Sequence, residues 1–197
     1  MKSTRKIPKF WPALIVWFMA VVIPATAPAW ADGNSTNGGQ DMTLTLTSPA
    51  FEDQGEIPER YTCDGKDISP ELHWQGVPEN AKSLVLIVDD PDAPDPAAPK
   101  MTWIHWLLYN LPADSQGLPQ AVKDSELPAG TLPGENSWHR TGYGGPCPPI
   151  GRHRYFFKLY ALDTVLPDLK TPEKDELLRA MQGHIVAETR LMGTYQR

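Results

Sequence analysis

The sequence predicts a mainly β domain, built on antiparallel strands with a minor α contribution towards its C-terminal end. Three observations carry that expectation. Apolar residues alternate with β-branched polar ones, or form short runs closed by Pro, Gly and Asp, as strands do. No helical pattern separates the strand candidates, which favours antiparallel pairing over βαβ crossovers. The 21 prolines demand long irregular connections, and a proline's fixed backbone lowers the entropy cost of ordering them.

Residues 42–47 (MTLTLT) alternate as a half-buried strand does. Residues 83–88 (SLVLIV) form an apolar run ended by acids and prolines, a strand covered on both faces. Residues 102–110 (TWIHWLLYN) make a third strand, rich in aromatics and stopped by Leu111-Pro112, and residues 154–162 (RYFFKLYAL) a fourth. One helix is expected, with Thr171 as N-cap, Pro172 at its first position and Glu173 and Asp175 at its positive end. Leu177, Leu178 and Met181 give it an apolar stripe, and Gly183 ends it. Residues 184–195 fit either a short second helix or a strand, and the preferred reading is helix then strand. Two proline-dense loops, 89–99 and 142–151, abut strongly apolar strands, and loops held at strand ends are where sites usually lie.

The N-terminus has the layout of an export signal. Lys2, Arg5, Lys6 and Lys9 form a basic region, residues 10–23 an apolar run, and Ala29-Trp30-Ala31 a small-residue cleavage site. The run is shorter than the roughly 20 residues a transmembrane helix needs, and Pro24 and Pro28 stop it lengthening. The expected organisation is therefore a signal peptide over 1–31, a flexible Gly/Asn/Ser-rich tether over 32–41, and one domain over 42–197, placed in the periplasm or secreted. The signal holds four of the 18 Lys and Arg and none of the 24 Asp and Glu, leaving 14 basic against 24 acidic residues, a formal net of −10. Such a surface repels nucleic acid and anionic membrane, so any anion must be captured by a local site. Two cysteines remain, Cys63 and Cys147, and in an oxidising compartment an even count invites a disulfide. Two unpaired buried thiols are the alternative.

Three segments hold the chemistry-bearing residues. Asp90-Pro91-Asp92-Ala93-Pro94 closes a buried strand, His105 sits among large apolar side chains in Trp103-Ile104-His105-Trp106, and residues 144–155 run from Gly144-Gly145-Pro146 to His153-Arg154-Tyr155. Two imidazoles can donate N–H groups to an anion and gain a proton beside one. A carboxylate there makes sense if Asp90 orients a histidine. Gly144 and Gly145 would let backbone amides approach an oxygen, as in a nest, and Trp103, Trp106 and Tyr155 could wall the pocket. Taken singly, each has a plainer reading: His105 as a satisfied core histidine, His153 as a surface residue, Asp90 and Asp92 as turn caps. His73, His139 and His184 have no partner pattern.

Together these segments resemble the phosphatidylethanolamine-binding protein family, also called the Raf kinase inhibitor-like proteins, and in particular its bacterial branch. The DPDAP box paired with a later G-P…HRY box carries the resemblance, with Asp67-Ile68-Ser69-Pro70 and Gly193-Thr194-Tyr195 in support. It spans roughly residues 43–195. It implies a sandwich-like fold, a large antiparallel sheet on a smaller one with one or two C-terminal helices, and a small rigid pocket for phosphate-type groups. On the family's pattern the ligand-binding residues fall on Asp90, Pro94, His105, Gly145, Pro146, His153 and Tyr155. Two departures stand out: Ile104 precedes His105 where eukaryotic members often carry two adjacent histidines, and only Ile-Gly-Arg separates Pro149 from His153. The short loop would let Arg152 lean over the rim, and a Cys63–Cys147 bridge would pin the pocket loop near Tyr61.

The expected function is a binding or modulator protein that captures a phospholipid head group or a phosphorylated or acidic ligand. Inhibition of a kinase or hydrolase outside the cytoplasm is a possible consequence. No catalytic residue, metal ligand or cofactor is expected. An Asp/His hydrolase or metal-dependent enzyme is the alternative, set back by the lack of a nucleophile elbow or an H-E-x-x-H pattern. The other is an envelope interaction module with a vestigial pocket.

Overall fold

A computed structural model describes residues 43–197. The signal and tether readings, and Met42, lie outside the described residues. Eight strands and one α-helix follow in order: β1 Thr45–Thr47, β2 Leu72–Gln75, β3 Ser83–Asp90, β4 Trp103–Pro112, β5 Gly117–Leu118, β6 Leu132–Pro133, β7 Arg152–Leu162, α1 Lys174–Met181 and β8 Ile185–Gln196. They form a three-stranded sheet, β1-β2-β5, and a five-stranded sheet, β6-β4-β3-β7-β8. Every ladder is antiparallel. The expected large sheet with a smaller companion is what the chain forms.

The central strand shows why. All eight residues of β3 are buried, so its continuous apolar run serves two cores at once. Leu84, Leu86 and Val88 enter one cluster with Leu46, Trp74, Trp106, Leu108 and Phe157, drawn from both sheets. Val85 and Ile87 enter another with Leu107, Tyr109, Leu177 and Met181, under α1. Each fully buried Leu or Ile contributes about 1.5–3 kcal/mol relative to exposure.

β4 departs from simple alternation at the residue that matters most. Val88 pairs with Trp106 but Asp89 pairs with Ile104, so His105 is the extra residue of a β-bulge. Ile104 and Leu107 face the helix-side cluster. Trp106 faces the inter-sheet cluster, and His105 lies on that side too, its ring 5.2 Å from that of Tyr155. A bulge inserts one residue and re-aims a side chain, often beside a site.

Two expectations are corrected. The helix begins at Lys174, not at Pro172, and its N-cap is Glu173. Lys170 and Thr171 have positive φ, and the Pro172 carbonyl accepts from the Glu135 amide, so these residues turn the chain and anchor it to a neighbouring loop. Residues 184–195 contain no second helix: β8 pairs with β7 from Ile185 to Gln196. The long open edge of β7 supplies a ladder for the whole segment, and cross-strand pairing outweighs local helix preference. Gly183, with φ 82°, makes the turn between α1 and β8.

Candidate functional site

The ends of the three interior strands of the large sheet, β3, β4 and β7, lie side by side and line a cavity of about 300 Å³. Asp90, His105 and His153 line it together with Ala93, Pro94, Met101, Trp103, Trp138, Cys147, Pro148 and Pro149. Neither Lys nor Arg is among these lining residues.

Asp90 ends β3 and is buried. Its Oδ1 accepts from the Asp92 amide at 2.8 Å, and its Oδ2 accepts from His153 Nδ1 at 2.7 Å. The other His153 nitrogen, Nε2, lies 3.0 Å from the Ile150 carbonyl oxygen. Both acceptors demand a hydrogen, so the ring that satisfies both is the imidazolium. Buried ion pairs persist only with such complete hydrogen bonding.

His105 is equally buried but differently committed. Its Nδ1 donates to the Gly144 carbonyl at 2.7 Å. A carbonyl only accepts, so Nδ1 carries the hydrogen. Its Nε2 is buried and has no partner. Trp138 and Tyr155 meet the ring edge-on, each at 5.2 Å between centroids. Burial holds this histidine below its ordinary pKa of 6.5, against the opposing pull of the Gly144 carbonyl and of Asp90, Asp89 and Asp67.

The remaining expected residues take supporting places. Pro94 lines the cavity, following a cis peptide bond from Ala93. Gly145 and Pro146 do not line it: the Gly145 amide donates to Asp67 Oδ1 at 2.6 Å, and the Pro146 carbonyl accepts from Cys63. The Gly144 amide donates to His105, so the two glycine amides form no nest for an anion. The glycines allow close packing instead. A Cβ on Gly144 would strike Trp138, and one on Gly145 the Tyr61 carbonyl. Tyr155 stands behind the histidines, stacked on His153 at 6.4 Å, with its hydroxyl buried and unpartnered; burial pushes its pKa up.

Around the site, Asp92 takes both a backbone N–H and a two-pronged guanidinium contact from Arg154, at 2.7–3.0 Å. That arginine holds the Asp92 carboxyl below its usual 3.8. Arg152 does not lean over the rim; it reaches Glu56 and Thr194. Trp106 belongs to the inter-sheet core rather than the wall. His73, His139 and His184 each pair with a nearby carboxylate outside the cavity. Cys63 and Cys147 are bridged. Among the described residues no three His, Cys, Asp or Glu side chains are grouped to hold a metal ion.

Sequence reasoning missed Trp138 and Met101. Both are exposed at the mouth, and Trp138 arrives on a loop clamped to β4 by the Ser137 amide and hydroxyl, both bonded to Ile104. No local pattern in the sequence announces that docking.

The family model described as phosphatidylethanolamine-binding protein matches residues 47–196. A UPF0098 protein from Methanothermobacter thermautotrophicus is 52% identical over 155 residues, covering 78% of this chain and 99% of the relative. Among solved structures, CT736 from Chlamydia trachomatis, described as a homolog of this family, is 44% identical with a TM-score of 0.73, over 79% of this chain and 99% of that one. YbcL from E. coli, described as a new member of the mammalian family, is 29% identical with a TM-score of 0.71, over 78% and 98%. Fold, sequence and paired boxes agree: the chain belongs to the phosphatidylethanolamine-binding protein family.

Proposed function

We propose that this family member is an exported binding or modulator protein whose cavity takes up a small phosphate-type group, carried by a phospholipid head group or by a phosphorylated or acidic ligand. The observation that carries this is the meeting, in one cavity, of the buried Asp90–His153 pair and His105 with its unpartnered Nε2. An imidazolium supplies an N–H to an oxyanion, and Asp90 fixes the ring that supplies it. Proline-rich walls give the cavity a fixed shape, which lowers the ordering cost of binding.

A catalytic reading finds less support. The lining residues include no serine, threonine or lysine, and the lining cysteine is bridged, so the Asp90–His153 pair has no side-chain nucleophile to activate. A protein target would be engaged through a phosphorylated or acidic segment seated in the cavity, outside the cytoplasm.

Calorimetric titration of the purified protein with inorganic phosphate, phosphoethanolamine and a phosphoserine peptide tests the reading. Saturable one-site binding is expected for at least one probe, weakened about tenfold or more by His153→Asn, the loss of one charge-assisted hydrogen bond. Absence of binding to the folded wild-type protein would overturn it.

A further inference from the structure

We propose that His105 makes the site selective for an oxyanion that brings its own proton: the monoanion of a phosphate monoester, in preference to a phosphodiester, a sulfate or a dianion. This selectivity rests on the cavity binding a phosphate-type group at all, and within that reading it favours a phosphorylated ligand over an intact head-group phospholipid, whose phosphate is a diester.

The argument starts from the tautomer. With its hydrogen donated to the Gly144 carbonyl, the neutral His105 ring presents at Nε2 a lone pair. That nitrogen is an acceptor, it is buried, and nothing in the protein donates to it. A buried acceptor without a donor costs about 1–3 kcal/mol, so the ligand that fills the cavity gains most by supplying an O–H. A monoester monoanion, R–O–PO3H⁻, has one. A sulfate ester and a phosphodiester carry the same single charge but have no proton to give.

The charges around the cavity point the same way. His153 as imidazolium cancels the charge of Asp90, and no Lys or Arg lines the walls. A dianion entering this space would meet no net positive charge to offset its desolvation. The groups facing His105 from each packed element leave it neutral. Asp89 and Asp90 of β3, Asp67 and the Gly144 carbonyl favour its protonation, yet burial outweighs them. His153 and Tyr155 of β7 add a cation and a neutral hydroxyl. Arg140, over the Trp138 ring and 3.9 Å from Asp67, adds a second, exposed cation. The His153 Nε2–H is the donor left for the phosphoryl oxygens, exchanging the Ile150 carbonyl for the ligand.

Methyl phosphate, methyl sulfate and dimethyl phosphate differ mainly in that proton, and serve as probes on the whole purified protein. At pH 5.5, methyl phosphate is expected to bind about tenfold or more tightly than either proton-free analogue. Its affinity should fall about tenfold per pH unit above pH 7, as the monoester loses its second proton near pH 6. In His105→Phe, which keeps a flat ring but removes the acceptor, methyl phosphate should bind no better than methyl sulfate. Should that variant misfold, nitrogen NMR of wild-type His105 decides the matter. Its Nε2 is expected unprotonated in the free protein, and moved by methyl phosphate but not by methyl sulfate. Equal affinity for methyl sulfate and methyl phosphate, or a protonated Nε2 in the free protein, overturns the selectivity while leaving the phosphate-type reading intact. Binding of none of the three overturns both.

Discussion

At the scale of the residue, the site rests on two histidines that differ in what they touch. His153 sits between a carboxylate and a carbonyl, whereas His105 has one carbonyl partner and an otherwise apolar surround. The lowered pKa of His105 has a stability consequence. In the unfolded chain the ring protonates near 6.5; in the folded chain burial delays this to lower pH. Acid therefore protonates the unfolded chain first. The contribution of the neutral, buried ring is complete above about pH 6.5 and is lost as pH falls through the lowered value, with a slope of up to about 1.4 kcal/mol per pH unit. Asp92 acts in a separate window: its folded pKa lies below 3.8, so its contribution is present above that value and disappears only on stronger acidification. Thermal melts between pH 7.5 and 4.5 should show a decline in the wild type that His105→Phe flattens. An identical decline in both proteins would assign the loss to other groups.

At the scale of the element, short-range pattern and long-range contact divide the credit. The runs in β3, β4 and β7 were legible because each is long, apolar and closed by turn residues. β5 and β6 span two residues each and exist only because a partner strand lies alongside, so nothing local marks them. The bulge at His105 was illegible for the same reason: alternation alone would put His105 opposite Trp106, and only pairing with β3 reveals the extra residue. Asp90, Pro94, His105 and His153 could be named through the resemblance; their division into one ion pair and one bare acceptor could not. The loop carrying Cys147 shows how elements hold the wall. It is tied to the segment around Tyr61 by the disulfide, by the Cys63 amide on the Pro146 carbonyl, by Gly145 on Asp67 and by the Tyr143 hydroxyl on the Tyr61 carbonyl. The bridge closes a sequence separation of 84, worth about 4–5 kcal/mol on the chain-entropy model. Reduction should lower the denaturant midpoint accordingly. It should also weaken phosphate-probe affinity in protein that is reduced but still folded, since Cys147, Pro148 and Pro149 form one wall. An unchanged affinity would mean that the hydrogen bonds alone hold the wall.

At the scale of the whole molecule, charge, cysteines and N-terminus bear on one another. Without residues 1–31 the chain has 14 basic against 24 acidic residues, so its overall field would repel an approaching anion, and the anion recognition proposed above would depend on short-range contacts. A cavity whose own charges cancel, reading one proton on its ligand, suits that setting better than one relying on attraction at a distance. Both bridged cysteines are exposed, and an exposed disulfide persists in oxidising compartments while cytosolic thiol systems reduce it. On the proposed reading, the basic region, apolar run and Ala29-Trp30-Ala31 site would provide the route to such a compartment. Intact-mass measurement on protein recovered from its native cells joins these points. The expected species begins at Asp32 and is lighter by two hydrogens than after reduction. A cytosolic species retaining residues 1–31, with two titratable thiols, would refute export and leave the 142–149 loop held by hydrogen bonds alone in the cell.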